Sequence, residues 1–381
     1  MDTRRINLLF IVNSLDFGGA EKHTISLLNS LDTQRFRLSL AYLKSEQTLL
    51  AQLDLSRLEG RVFCCEVKKK IDFSAIKMLV AAIRDDDIDI VVCVNNYSLL
   101  YGWLARITSR RKPRLVEVFH TTEMGSRKDT VQMLFYRPIF LVSDMLVYVC
   151  ANQQKYWRAR ALRARCDTVI HNGIDVERFC DVYTIDEKNS LRESYGFGPT
   201  DYVVGLCALL RPEKAHVDLL RAVAKLRAAD FEVKCLLIGD GPERPKIEAA
   251  IDAMGLGAHV RITGLITDVR AVVAACDVMA LVSHSVETFS IAALEAMALG
   301  KPMIMTAIGG AAEQISHGEN GYLYERGDIA ALSSALLQLM ESSKRGQMGS
   351  LARTTVARQF SMETMVHAYD RLFVRLAASR A

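Results

Sequence analysis

Short β-branched runs alternate with amphipathic stretches along the whole chain. In the first half the runs "INLLFIV", "FRLSLAYL", "VFCCEV", "IDIVVCVN", "RLVEVFH", "MLVYVC" and "DTVIHNGI" read as strands. Between them lie "EKHTISLLNSL", "QTLLAQLDLSRLE", "FSAIKMLVAAIRD", "YSLLYGWLARITS", "DTVQMLFYRPIFLV" and "NQQKYWRARALRA", which read as helices. The strands are apolar on both faces, as a parallel sheet covered by helices on two sides requires. This rhythm predicts a doubly wound α/β domain.

The polar, glycine-containing stretch "TIDEKNSLRESYGFGPTD" at 184–201 interrupts the rhythm, which restarts at "YVVGLCALL" and runs on through "EVKCLLIG", "VRITGL", "VMALVS" and "KPMIMTA". A second domain of the same class is therefore expected over 184–361, after a first over 1–183. The length of 381 residues suits two cores, at roughly 100–200 residues each. Two such domains facing each other would leave a cleft outside the carboxyl ends of their strands, where open α/β sheets bind ligands.

Composition narrows the class without naming a chemistry. Half the residues are apolar and 24% charged, which fits a folded globular chain. Nine scattered cysteines give neither a disulfide framework nor a C-x-x-C metal pattern, and a reducing cytoplasm suits them. The first apolar run is too short for a secretory signal, and the longest other one, "LFYRPIFLVSDMLVYVC", is broken by Arg137, Pro138 and Asp144, so no bilayer-spanning segment is expected. The net charge of +4 sits in the first half, where about 28 Lys and Arg oppose about 23 Asp and Glu in residues 1–190. Basic clusters at 67–72, 109–114 and 156–165 are either ordinary solvated faces or a surface for anionic lipid or a phosphorylated acceptor. Nucleic acid is not an expected partner, for the charge is small and no recognition module is present.

Three places could carry chemistry. In "SLDFGGAEKH" Gly18 and Gly19 follow the first strand and open a helix, so the backbone could approach a phosphate there; a tight turn explains the pair as well. In "LLRPEKAHVDLL", at the equivalent place of the second half, Arg211 and Lys214 bring two cations to a helix start, against the helix dipole. In "VETFSIAALEAMALGKP" Glu287 is expected in a strand-to-helix loop beside the amides of Thr288, Phe289 and Ser290, equipped to hold sugar hydroxyls, while Glu295 lies in the helix beginning near Ser290 and could reach a vicinal diol. Each glutamate alone could be a cap or a surface residue. The D-x-D in "RDDDIDIV" falls at a turn between helix and strand and reads as a solvated turn, not a metal site.

Together these segments, with "VIHNGIDVERF", "LLIGDGPER", "VRITGL" and "AIGGAAEQISHGENGYL", resemble the retaining glycosyltransferase family 4, including its E-x7-E motif, over nearly the whole chain. The resemblance implies the GT-B fold, with the final helix, about 362–381, crossing back to an acceptor-binding first domain. It implies retaining sugar transfer from a nucleotide-sugar donor to a glycan or lipid-linked acceptor, with no cofactor and no essential metal. Glu287 with the amides of Phe289 and Ser290 would hold the donor sugar, Glu295 the ribose, and Lys214 the diphosphate. Gly19 would approach the diphosphate, His120 in "VEVFHTTE" would line the sugar site unless it is a strand-end histidine satisfied by backbone, and Gly239 and Gly264 would border the base pocket. The sequence departs from the family pattern twice. Leu209 stands where an arginine is usual, with Arg211 as the substitute, and "ETFS" replaces "EGFG", which would narrow the sugar pocket and let Ser290 donate a further hydrogen bond. A nucleotide-sugar 2-epimerase and a non-catalytic nucleotide-sugar binder are the alternatives; an NAD-dependent oxidoreductase lacks its G-x-G-x-x-G.

Overall fold

The computed structural model describes residues 4–16, 18–121, 127–285 and 287–378. The chain forms two compact units, Met1–Gly173 with Met362–Ala381, and Ile174–Ser361. The boundary lies ten residues earlier than the polar stretch suggested. The amide of Ile174 donates to the Phe360 carbonyl at 2.9 Å, and Arg270 donates to the carbonyl of Arg178 at 3.0 Å, so residues 174–183 are tied into the second unit.

The first unit holds seven strands, β1 (Ile6–Val12), β2 (Phe36–Tyr42), β3 (Val62–Cys64), β4 (Ile90–Val94), β5 (Arg114–Phe119), β6 (Met145–Tyr148) and β7 (Asp167–Val169). All pair in parallel, in the order β3-β2-β1-β4-β5-β6-β7. Successive side chains of a strand point to opposite faces, so β1 sends Leu8, Phe10 and Val12 to one core and Leu9 and Ile11 to the other. The final helix, Met362–Ala378, closes the first of these cores with Met365, Tyr369, Leu372, Phe373 and Leu376, a one-sided stripe at helical spacing. Phe373 meets Phe10 and Phe36 edge-on at 6.2 and 6.0 Å.

The acids of "RDDDIDIV" lie at the last residue of the helix Phe73–Asp85 and in the turn that leads to β4, at the amino end of the sheet. Arginines hold them: Arg61 pairs with Asp85 and Asp86, and Arg111 with Asp87 and Asp89, at 2.8 to 3.1 Å. Among the described residues no group of three or more His, Cys, Asp or Glu is arranged to hold a metal ion, and no helix is long and apolar enough to cross a membrane.

One core position breaks the apolar pattern. Glu117 of β5 lies between Cys93 of β4 and Leu146 of β6, fully buried, and neither carboxylate oxygen has a hydrogen-bond partner. Burial pushes its pKa well above the usual carboxylate range. The folded state therefore holds a proton that the unfolded chain releases above about pH 4.3, and stability falls as pH rises. Replacing Glu117 with Leu should stabilise the first unit by about 1–3 kcal/mol, with a larger gain at pH 9 than at pH 6 in thermal melts.

The second unit holds β8 (Val203–Cys207), β9 (Lys234–Ile238), β10 (Val260–Ile262), β11 (Val278–Leu281), β12 (Met303–Thr306) and β13 (Gly321–Tyr324). These are also parallel, in the order β10-β9-β8-β11-β12-β13. The chain builds outward from β8 in one direction, then returns to β11 and builds in the other. The crevice at the carboxyl ends of β8 and β11 is thus the switch point where such sheets bind ligands.

Candidate active site

The loop leaving β8 is shaped by two glycines that follow β9. A Cβ on Gly239 would stand 2.2 Å from the Ala208 carbonyl oxygen, and one on Gly241 2.6 Å from that of Leu210. Gly239 also has φ 145°, and it bridges to Gly264, whose φ is 74°. Their absent side chains let Leu210 donate to the Asp240 carbonyl at 3.0 Å and accept from the Glu243 amide at 2.9 Å. Pro212–Lys214 then form a 3-10 turn, Ala215 takes the left-handed conformation at φ 49°, and the helix His216–Arg227 begins with no side chain capping it. Its first-turn amides lie next in the chain to Lys214, a setting that favours an anion. Arg211 heads the turn with an exposed side chain that has no partner among the described residues.

The loop leaving β11 meets the first one. Lys214 Nζ lies 2.6 Å from Glu287 Oε2, to which Ser283 Oγ also donates at 3.0 Å. The His284 amide donates to the Glu213 carbonyl at 2.8 Å, and His284 Nε2 lies 2.6 Å from Asp218 Oδ2. The switch point is thus spanned by an ion pair of one cation from β8 and one carboxylate from β11, with Ser283, His284 and Asp218 as supports. Val286, quoted with this motif, and Phe17, quoted with the first glycine pair, lie outside the described residues.

A third segment, after β12, fixes the carboxylate from behind. Gly309 has φ 55°, and a Cβ on it would fall 1.6 Å from the Glu287 carbonyl oxygen. Gly310 donates its amide to the Thr288 carbonyl at 2.7 Å. The Gln314 side chain grips Ser290, its Oε1 accepting from the amide at 3.3 Å and its Nε2 donating to the carbonyl at 2.8 Å. The helix Ile291–Ala298 starts where expected, and Ser290 Oγ caps it by accepting from the Ala293 amide at 3.2 Å. Glu287 is in the loop and Glu295 is a buried residue of the helix.

These contacts change two details. The Ser290 amide, expected to hold a sugar hydroxyl, is engaged by Gln314, and the Ser290 hydroxyl is buried at the helix start. Phe289 is buried too, its ring edge-on to Phe360 at 5.2 Å. Any narrowing caused by "ETFS" therefore falls to Thr288, which stays half-buried. Gln314, Ser283, His284 and Asp218 were not legible as site residues, since each works through a contact made in three dimensions. His216 was also missed. It is buried beside Lys214 with both ring nitrogens unpartnered, and burial, then the Lys214 charge, lowers its pKa to about 4, so the imidazole is neutral at pH 7.

The remaining candidates belong to the first unit. Gly18 does not offer open space, because the Glu21 carboxylate occupies it: a Cβ there would lie 2.1 Å from Glu21 Oε2. Burial raises the pKa of Glu21 while its own amide lowers it. Gly19, the first residue of the helix Gly19–Ser30, has nothing within 4 Å of a Cβ. His120 follows β5, with its amide donating to the side chain of Asn95, itself left-handed at φ 66° just after β4. Its ring packs edge-on against His23 at 5.2 Å, and His23 Nε2 lies 3.2 Å from the Tyr369 hydroxyl. Burial lowers both imidazoles, His23 to about 4, and keeps them neutral at pH 7.

Comparison with known proteins matches each half of the chain separately. Residues 17–178 match Glycosyltransferase Family 4, and residues 187–355 match Glycosyl transferases group 1. The N-acetyl-alpha-D-glucosaminyl L-malate synthase of Bacillus anthracis is 33% identical over 205 residues, which is 54% of this chain and 52% of that protein. The D-inositol 3-phosphate glycosyltransferase of Mycobacterium marinum is 33% identical over 215 residues, 55% of this chain and 45% of that one. The match thus spans about half the length of these relatives. Among solved structures, Anabaena Alr3699/HepE in complex with UDP superposes with a TM-score of 0.85 at 22% identity, over 97% of this chain and 100% of that chain.

Proposed function

Because this chain has the GT-B fold and joins a Glycosyltransferase Family 4 region to a Glycosyl transferases group 1 region, we propose that it is a retaining glycosyltransferase. Its donor is a nucleoside-diphosphate sugar, UDP-linked, and its acceptor a hydroxyl of a glycan or lipid-linked sugar in polysaccharide or glycolipid assembly. The observation that carries this reading is the Lys214–Glu287 pair at the switch point of the second unit. The UDP complex of the Anabaena neighbour supports the choice of nucleotide.

In this reading the donor separates the pair. Lys214 turns to the diphosphate, with Arg211 and the uncapped amides at His216 adding positive potential where charge grows on the leaving phosphate. Glu287, released from Lys214 and still held by Ser283, accepts hydrogen bonds from the sugar. Glu295 takes the ribose hydroxyls, and His120 of the first unit, neutral, is a ring able to hydrogen-bond a sugar hydroxyl. The acceptor oxygen bonds to the anomeric carbon on the face from which the phosphate oxygen departs, and the acceptor proton passes to that oxygen. Charge neutralisation by side chains and amides leaves no essential role for a metal ion.

Replacing Glu295 with Ala should weaken UDP binding by about ten- to a hundredfold, the worth of one charge-assisted hydrogen bond at about 1.5–3 kcal/mol. Titration calorimetry of the two proteins checks this, and equal affinities would remove the ribose assignment.

A further inference from the structure

From Val131 onward the helix Arg127–Val142 of the first unit carries apolar side chains on both its inner and its outer side. Met133, Tyr136, Ile139 and Phe140 face the core and are buried. On the outer side Val131, Leu134, Phe135, Pro138, Leu141 and Val142 are exposed, with Val131 at 66% and Phe135 at 59%. Their spacing makes one continuous stripe along the helix. From Thr130 to Val142 there is no acid, and the single charge, Arg137, is half-buried and donates to the Arg160 carbonyl at 2.7 Å. Water-facing helices of a folded domain carry charge on their outer side, and a stripe of this kind marks an interaction surface.

The rim of the stripe is basic. At the carboxyl end of the helix Arg106 donates to the Val142 carbonyl at 3.0 Å, and Arg106, Arg114 and Arg165 all converge at 3.1 Å on the one carboxylate of Asp144. Of these Arg165 is exposed, and the exposed Arg110 and Lys112 stand beside it in the chain segments that meet this end of the helix. Arg160, exposed and stacked on Tyr156 at 3.6 Å, extends the rim at the Arg137 side. A two-fold contact with a second copy would set this rim against itself and bring like charges together. A surface with apolar depth and negative headgroups accepts both features.

We propose that the outer face of residues 131–142 is a docking surface for an anionic lipid bilayer, with the Val131–Val142 stripe entering the interface and the basic rim on the headgroups. This goes beyond the glycosyl-transfer reading and does not depend on it, since the second unit plays no part.

Flotation of the full chain with phosphatidylcholine vesicles, with and without about a third phosphatidylglycerol, tests it at about 0.1 M salt. Binding is expected on the anionic vesicles and at least about tenfold weaker on the neutral ones. Leu134→Glu with Phe135→Glu should weaken both about tenfold or more with unchanged circular dichroism, since both side chains already face water. Arg110→Glu with Lys112→Glu should weaken the anionic binding alone, and this pair tests the surface without touching the helix. Failure of the wild-type chain to float with anionic vesicles, or undiminished flotation of either variant, would overturn the proposal. A dimer lost in the Leu134→Glu, Phe135→Glu variant, without lipid binding, would assign the face to a second copy and overturn it equally.

Discussion

Lys214→Ala should lower the rate of nucleoside-diphosphate release from the donor sugar by about a hundredfold or more, or about 3 kcal/mol, the usual cost of deleting one charge-stabilising group from a reacting site. Two effects add. The growing charge on the leaving phosphate loses its ammonium, and among the described residues Glu287 is left with only Ser283, a carboxylate free to repel the diphosphate. Glu287→Gln separates the two. It releases Lys214 while removing the repulsion, so affinity for the free nucleoside diphosphate should hold or rise while turnover falls. Steady-state kinetics with saturating donor, alongside titration with the diphosphate, distinguishes these outcomes; equal rates for Lys214→Ala and wild type would remove the lysine from the chemistry.

Gly309→Ala should damage the site from behind. The new methyl would fall 1.6 Å from the Glu287 carbonyl oxygen, at a residue already left-handed, so the loop carrying Glu287 must move. A loss of about 2–4 kcal/mol is expected, seen as a drop of roughly 5–15 °C in the melting of the second unit. Donor affinity should fall with it, because Gly310 and Gln314 would no longer meet Thr288 and Ser290. Gln314→Ala keeps the loop's path but frees the Ser290 amide, and so offers a milder comparison at the same place.

The α/β class and the two-unit plan were legible because hydrophobic runs on both faces of short strands admit few other arrangements. Placement of the pair at a switch point was legible in part. Lys214 and Glu287 each follow a strand and precede a helix, yet strand order decides whether such loops are neighbours, and order is not written in periodicity. The boundary was misplaced because the polar stretch 184–201 looks like a linker, while its first half is the capped helix Ile185–Ser194, with a Thr184–Glu187 capping box, inside the second unit. Gly18 and Ser290 were read by residue type alone. The Glu21 carboxylate over one and the Gln314 amide on the other depend on side-chain directions that a string of letters does not carry. Glu117 was hidden for the same reason, as a charged letter in a mostly apolar strand gives no sign of lacking a partner.

The measurement that bears most directly on the central claim is nucleoside-diphosphate release from a panel of UDP-, GDP- and ADP-sugars, with and without glycan and lipid-linked acceptors. The account predicts release from a UDP-sugar that depends on an acceptor hydroxyl, yields a product of retained anomeric configuration and collapses in Lys214→Ala. Donor binding with no release under any acceptor, or acceptor-free conversion of the sugar to its 2-epimer, would contradict it.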